Sequence, residues 1–399
     1  MTAKMIGGTL LVTGTAIGAG MLALPVATAG FGFMSATMLM LSCWAAMTAG
    51  AFLILEVTLW LPPNTNLVSM AGKTLGPLGQ IVCWICYLLL LYALLAAYIA
   101  GGTDFLKHLL QGMHLTASDP LAAILFTGCL SVIVFNGIRA VDLVNRGLML
   151  LKFITFFSLA GLLAPHVDTP ALFQGGAGWE AQGMTVAITS FGFATIIPSL
   201  RNYFHGDAKK LRLVIFFGGL IPLICYILWN AVVMGVIPRE GSDGLLAMLH
   251  SGKPTSAFIT DISQRLQRST ITDFAKIFTS VCLLTSFLGV ALCLADFLAD
   301  GLGLERKGRK NAYVCAITFL PPLIVVLTKP AIFIAALSGA GILCIILLLV
   351  LPILMVWSGR YRQAIATGYR FWGGRALLIL LLLFAAFVIS QPILGYFHG

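Results

Sequence analysis

The stretch TGTAIGAG, from Thr13 to Gly20, places Gly14, Gly18 and Gly20 inside an apolar run. Glycine is a poor helix former, so this composition favours a membrane helix that comes apart locally. The N–H groups freed by such a break suit a carboxylate, and the freed carbonyl groups suit a cation. An α-amino acid carries both groups, so the residue pattern is compatible with an amino-acid site.

A second interruption is predicted about half a chain away. The run 182–201 contains ITSFGFATIIP, in which Ser190, Gly192 and Pro198 disfavour a continuous helix. Unwound backbone is tolerated in a membrane only where it is buried in protein or lines a wet cavity. Two matching breaks therefore favour a binding site over the alternative, in which the glycines only let straight helices pack closely.

Two charged residues within apolar runs are the other groups with chemical potential. Lys152 lies in the run 147–165, where a lysine at the membrane centre costs about 2.5–3.5 kcal/mol on insertion scales. Such a residue usually has a function, although a side chain this close to the start of a run can also extend to the cytoplasmic surface. Glu56 is a candidate gate or pairing residue near the cytoplasmic end of its run, with solvation by headgroup water as the alternative.

The elements that position these residues are membrane helices. The chain of 399 residues is 59% hydrophobic and only 10% charged, whereas charged residues make up about a quarter of soluble proteins. A helix that crosses the bilayer needs about 20 apolar residues. We therefore predict an all-α polytopic membrane protein, a single transmembrane domain over 1–399, with eleven transmembrane helices. The eleven runs are 5–30, 33–61, 79–109, 119–137, 147–165, 182–201, 211–237, 271–298, 311–328, 331–357 and 376–397.

Charge placement predicts the orientation. Most of the 24 lysines and arginines fall in loops that are cytoplasmic if the N-terminus is cytoplasmic, and eleven spans then place the C-terminus outside. The net charge of +10 is explained by basic loops beside anionic membrane lipids, without a nucleic-acid partner. The six histidines show no metal-ligand spacing, so we predict no metal, no cofactor and no enzyme activity. The oligomeric state is left open.

Several stretches, in order along the whole chain, carry a family resemblance. They are TGTAIGAGMLALP, YALLAAYIAGG, VDLVNRGLMLLK, TSFGF, TSFLGVAL and ITFLPP. Together they resemble the bacterial tyrosine-specific and tryptophan permeases, which form the aromatic amino acid permease family of the amino acid/polyamine/organocation superfamily.

That resemblance implies a LeuT-type fold in the bacterial inner membrane, with a cytoplasmic N-terminus and a periplasmic C-terminus. Its inverted repeats of five spans would cover about 5–165 and 182–357, with helices one and six broken, and an extra helix would follow at about 376–397. The implied activity is proton-coupled symport of an aromatic L-amino acid into the cytoplasm by alternating access, with tyrosine as first choice. The alternatives are a tryptophan permease, a broad neutral amino acid permease and a sodium-coupled symporter.

The resemblance also implies the site residues. The implied substrate-binding residues are Thr15, Ala16, Ile17, Gly18, Ala19, Gly20, Tyr98, Ser190, Phe191, Gly192, Phe193 and Phe287. In proton-coupled relatives of this fold, an amine on span five replaces a sodium ion, and Lys152 matches that position. Thr285 and Ser286 keep the paired hydroxyls that sodium-coupled members use as ligands, so the driving ion stays open.

Overall fold

Every regular element in the described part of the chain is a helix. The computed structural model describes residues 3–18, 20–63, 65–173, 176, 181–251, 254–304 and 306–398. The helices are α1 Ala3–Ala16, α2 Gly20–Ala27, α3 Gly32–Trp60, α4 Leu67–Gly112, α5 Asp119–Phe135, α6 Ile138–Leu163, α7 Thr169–Phe173, α8 Ala181–Ser190, α9 Ile197–Tyr203, α10 Ala208–Val236, α11 Leu245–Ser251, α12 Pro254–Leu266, α13 Ser269–Gly301, α14 Gly308–Thr328, α15 Phe333–Ile345, α16 Leu351–Tyr361 and α17 Gly374–His398.

Nine helical segments within the described ranges are long and apolar enough to cross a membrane. The chain is thus a multi-pass membrane protein, but this number does not confirm the predicted eleven. Two of the predicted runs account for the difference. The break after Ala16 leaves α1 with 14 residues, and α5 has only 17 residues. Helices α2 and α3 follow each other through the 3₁₀ turn Ala29–Phe31 and count as one segment, Gly20–Trp60.

The predicted run 79–109 belongs to a longer helix with a kink. In α4, Gly76 has a φ of 81°, a value that glycine adopts without steric cost, and Pro77 has no N–H to donate. The kink frees the Thr74 carbonyl, which accepts hydrogen bonds from Ser358 Oγ at 2.6 Å and Gln363 Nε2 at 2.9 Å. The short first part of α4 is thereby attached to the end of α16.

The centre of the bundle is built around α4, α10 and α13. Helix α13 packs along α6 and α4, α15 packs along α4 and α8, and α10 packs along α1 and α3. The approach of α10 to α1 depends on Gly218, because a Cβ at that position would lie 2.5 Å from Val12 Cβ. On the other side of the first break, α11 and α12 contact α2.

Candidate functional site

The first break lies between α1 and α2, where the glycines predict it. Ile17 N still donates to Thr13 O at 2.9 Å, but Met21 N donates to Gly18 O at 3.1 Å in place of Ile17 O. The carbonyl of Ile17 therefore has no helical partner. Ala19, a predicted substrate contact, lies outside the described residues.

Lys152 on α6 supplies the missing partner. Its Nζ donates to Ile17 O at 2.8 Å, and the residue is only 1% exposed. The amine thus points into the bundle toward the break, and it does not extend to the protein surface. A buried cation needs a close acceptor, and the freed carbonyl at the end of α1 is one.

The second break separates α8 from α9. Phe191 N and Gly192 N each close a short turn, to Ile188 O and Thr189 O at 3.1 Å, and a 3₁₀ turn follows over Phe193–Ile196. At Gly192 a Cβ would lie 3.0 Å from Cys344 Sγ on α15. The matching interruption predicted from ITSFGF is therefore present.

The two breaks touch each other. A Cβ on Gly20, at the start of α2, would lie 2.8 Å from Ser190 Oγ, at the end of α8. Larger side chains at position 20 would therefore separate the two helices. The start of α2 and the end of α8 thus lie side by side, although Gly20 and Ser190 are about 170 positions apart in the chain.

Tyr226 on α10 connects the two breaks and was missed by the sequence analysis. Its hydroxyl lies 2.7 Å from Ala16 O and 3.0 Å from Ser190 O, and the residue is fully buried. Its ring contacts the Phe191 ring edge-on, with centroids 5.4 Å apart. The available signal was weak: a tyrosine within an apolar run needs a partner for its hydroxyl, but the sequence does not show which.

Tyr98 and Ser286 lie beside the first break. A Cβ on Gly18 would be 2.5 Å from Ser286 Oγ, and the Ser286 and Tyr98 side chains are hydrogen-bonded to each other. Ser286 Oγ also donates to Cys282 O at 2.8 Å. The structure thus brings spans that are distant in sequence to the same place as the first interruption.

Two other predicted contacts pack against neighbouring helices. Phe287 is fully buried between the rings of Phe126 and Phe319, at 5.5 and 5.8 Å. Phe193 packs against α10, where a Cβ on Gly219 would lie 3.0 Å from its ring. These two phenylalanines remain predictions as substrate contacts.

Two predicted hydroxyl residues bond within their own helices. Thr15 is exposed and donates to Leu11 O at 2.8 Å. Thr285 Oγ1 lies 2.9 Å from Val281 O and 3.1 Å from Cys282 O. Neither hydroxyl is directed at the break by these bonds, so the substrate role of Thr15 and the ion-site role of Thr285 stay predictions.

Glu56 forms a buried pair with Arg360, at the end of α16. Arg360 Nε donates to Glu56 Oε1 at 2.7 Å, and Nη2 donates to Oε2. The Phe371 N–H also donates to Oε2, at 2.7 Å. The Glu56 side chain is 0% exposed and that of Arg360 is 5% exposed. The carboxylate thus ties α3 to α16 and to the segment before α17.

Asp104, near the end of α4, holds one of the helices of the α10–α13 connection. It accepts hydrogen bonds from Ser256 N at 2.8 Å and Ser256 Oγ at 2.7 Å. Ser256 lies in the first turn of α12, so the carboxylate serves that helix as an N-terminal cap supplied by a different helix. Among the described residues, no cluster of His, Cys, Asp and Glu side chains is suited to a metal ion.

These features define a class of membrane protein: a multi-pass helical bundle with two adjacent broken helices and a buried lysine at one break. Residues 1–392 match the tryptophan/tyrosine permease family, and the chain belongs to that family. It is a transport protein for amino acids and not an enzyme, as predicted.

Individual relatives cover almost the full chain. The chain is 33% identical to the tyrosine-specific transport system 1 of Haemophilus influenzae, over 98% of this chain and 96% of that protein. It is 30% identical to a tryptophan-specific transport protein of Pseudomonas aeruginosa, over 99% and 95%. It is also 31% identical to the glutamine transporter 2 of Aliivibrio fischeri, over 98% and 100%.

Proposed function

We propose that the chain carries an aromatic L-amino acid together with a proton into the cytoplasm, by alternating access. The observation that carries this proposal is the bond from buried Lys152 to the Ile17 carbonyl, at a break that touches a second break. Tyrosine is the first choice of substrate, with tryptophan next. The names of relatives support both, and the glutamine transporter keeps a broader neutral amino acid permease as the alternative.

The proposed architecture has eleven spans in two inverted repeats plus an extra helix, α17. Span one comprises α1 and α2, span six comprises α8 and α9, and span ten comprises α15 and α16. Packing supports this assignment. Helices α6 and α13 belong to spans five and eight, and a shift of five spans turns this pair into spans ten and three, whose helices α15 and α4 are also in contact. The contacts of α3 with α10, α4 with α13 and α5 with α14 map onto themselves. We place the protein in the bacterial inner membrane with its N-terminus cytoplasmic and its C-terminus periplasmic.

Substrate binding in this proposal uses backbone more than side chains. The N–H groups around Gly18 to Gly20, at the start of α2, would take the substrate carboxylate, since a helix N-terminus favours an anion. Carbonyl groups at the breaks would take the ammonium group. Tyr98 and Phe191 would contact the aromatic ring, and Ser190 is a candidate partner for a phenol.

Lys152 would carry the coupling proton. When protonated, it holds α6 to the end of α1 through Ile17 O. The neutral amine lacks the charge that strengthens this bond, so loss of the proton weakens the connection between α6 and span one. An ammonium group at this carbonyl also repels sodium, which favours the proton over the sodium-coupled alternative.

The test is uptake into vesicles that contain the purified protein. We expect labelled tyrosine to accumulate when an inward proton gradient is imposed without sodium. Competition by each of the twenty amino acids would then rank the substrates, and aromatic residues should compete most strongly. A strict requirement for sodium would refute the proposed driving ion, and equal competition by glutamine would favour the broad alternative.

A further inference from the structure

The hydroxyl of Tyr226 has two acceptors and one proton. It lies 2.7 Å from Ala16 O and 3.0 Å from Ser190 O, while a phenol donates only one hydrogen bond at a time. The proton is therefore shared between the last carbonyl of α1 and the last carbonyl of α8. These two groups mark the points at which the two interrupted helices end.

Tyr226 lies in a row of contacts between α10 and span one. On α10, Gly218, Tyr226 and Asn230 bond to Thr13, Ala16 and Thr28, respectively. Gly218 O accepts from Thr13 Oγ1 at 3.3 Å, and Asn230 Nδ2 donates to Thr28 Oγ1 at 3.1 Å. Helix α10 is thus attached to span one before the break and after α2, and Tyr226 meets it at the break itself.

Neighbouring carbonyls of the first break have different donors. Ala16 O accepts from Tyr226 on α10, and the next carbonyl, Ile17 O, accepts from Lys152 on α6. Only the Tyr226 bond also reaches the second break. The Tyr226 hydroxyl is therefore a direct polar link between the ends of α1 and α8.

We propose that Tyr226 is a positioning residue for the substrate site, and this inference rests on the function proposed above. Its hydroxyl fixes the distance between the two breaks. At that distance, backbone groups of both breaks can bind the same amino acid. The single proton also lets the bond pass from one carbonyl to the other, so Tyr226 stays attached to one of the two breaks when span one and span six shift relative to each other.

The test uses Tyr226→Phe, which keeps the ring that contacts Phe191 and removes both hydrogen bonds. We expect the KM for labelled tyrosine to rise at least tenfold, with a maximal rate within threefold of wild type. The matched control is Tyr92→Phe, whose hydroxyl donates to Ile317 O at 2.8 Å between α4 and α14. This control also loses a bond between helices, yet its KM should stay within twofold of wild type. Insertion of 4-aminophenylalanine at position 226 restores N–H donors on the same ring and should lower the KM again.

A second readout does not depend on the substrate. Hydrogen exchange of the backbone around both breaks should be faster in Tyr226→Phe than in wild type, and it should be unchanged in Tyr92→Phe. A KM within twofold of wild type, or unchanged exchange at both breaks, would overturn the role of Tyr226. If wild-type vesicles carried no aromatic amino acid, the proposed function would fail, and the exchange result would still decide whether Tyr226 positions the breaks.

Discussion

Replacement of Arg360 by Met should destabilise the protein strongly, because it leaves the Glu56 carboxylate buried without a cation. Glu56 is 0% exposed, and in the variant its remaining described donor is the Phe371 N–H. Removal of one partner from a buried pair costs about 3–5 kcal/mol. The variant should therefore lose about that much free energy of unfolding, measured by denaturant titration in detergent micelles.

A double variant isolates the interaction free energy between Glu56 and Arg360 from the effects of each substitution on other contacts. Glu56→Gln removes the carboxylate charge and keeps a similar volume, so Glu56→Gln/Arg360→Met should recover part of the loss. We expect a coupling free energy of about 2–3 kcal/mol from the double-mutant cycle. The control pair is Arg146 and Asp142, also 2.7 Å apart but with side chains 78% and 52% exposed. Arg146→Met should change the stability by only about 0.5 kcal/mol.

A loss of stability in Arg360→Met no greater than that in Arg146→Met would contradict the prediction. The prediction would also be refuted if the double variant were less stable than Arg360→Met alone, because the charge would then not be the cause of the loss. The two ion pairs differ in burial and also in topology, since Asp142 and Arg146 lie on one helix while Glu56 and Arg360 lie on two. Equal effects would mean that neither burial nor the connection between helices controls their energetics.

Two further predictions test other contacts of the site. Gly18→Ala places a Cβ 2.5 Å from Ser286 Oγ, an overlap that costs about 1–3 kcal/mol, so the KM for tyrosine should rise about tenfold. Ser286→Ala removes the hydroxyl that the new Cβ overlaps, so the KM of Gly18→Ala/Ser286→Ala should be close to the KM of Ser286→Ala alone. A tenfold difference between these two KM values would contradict the contact. Asp104→Ala removes the cap of α12, worth about 1 kcal/mol, so amide exchange in α12 should become about fivefold faster while α10 is unaffected. The control is Glu240→Ala, which alters a side chain that is 77% exposed. Exchange in α12 of Asp104→Ala that is no faster than in this control would contradict the capping role.

The interruptions could be predicted from the sequence because local composition decides them. Gly18 and Gly20 in the first run, and Gly192 and Pro198 in the second, have low helix propensity, although tertiary packing keeps other residues of these types, such as Gly101 and Pro222, inside helices. The number of spans was harder to predict, since hydropathy runs do not show how a break divides a segment. The merged segment Gly20–Trp60 and the 17-residue α5 are the result.

The partners of the buried polar residues could not be predicted, because tertiary packing determines them. Glu56 meets Arg360 across 304 positions, and Tyr226 meets Ala16 across 210. Tyr226 is one of nine tyrosines, and nothing in its neighbouring residues distinguishes it from the others. The charge of Lys152 marks it in the sequence as a candidate functional group, but its direction toward Ile17 required the structure.

Proton flux into vesicles measures whether Lys152 couples proton movement to the first break. In vesicles with an internal pH dye, addition of tyrosine to wild-type protein should acidify the interior while tyrosine enters. Lys152→Ala should abolish both this acidification and gradient-driven accumulation, while exchange of internal for external tyrosine continues. Lys210→Ala, which alters a half-exposed lysine paired with Asp207, is the control and should behave as wild type. Proton entry with tyrosine in Lys152→Ala, at the wild-type ratio, would contradict the account.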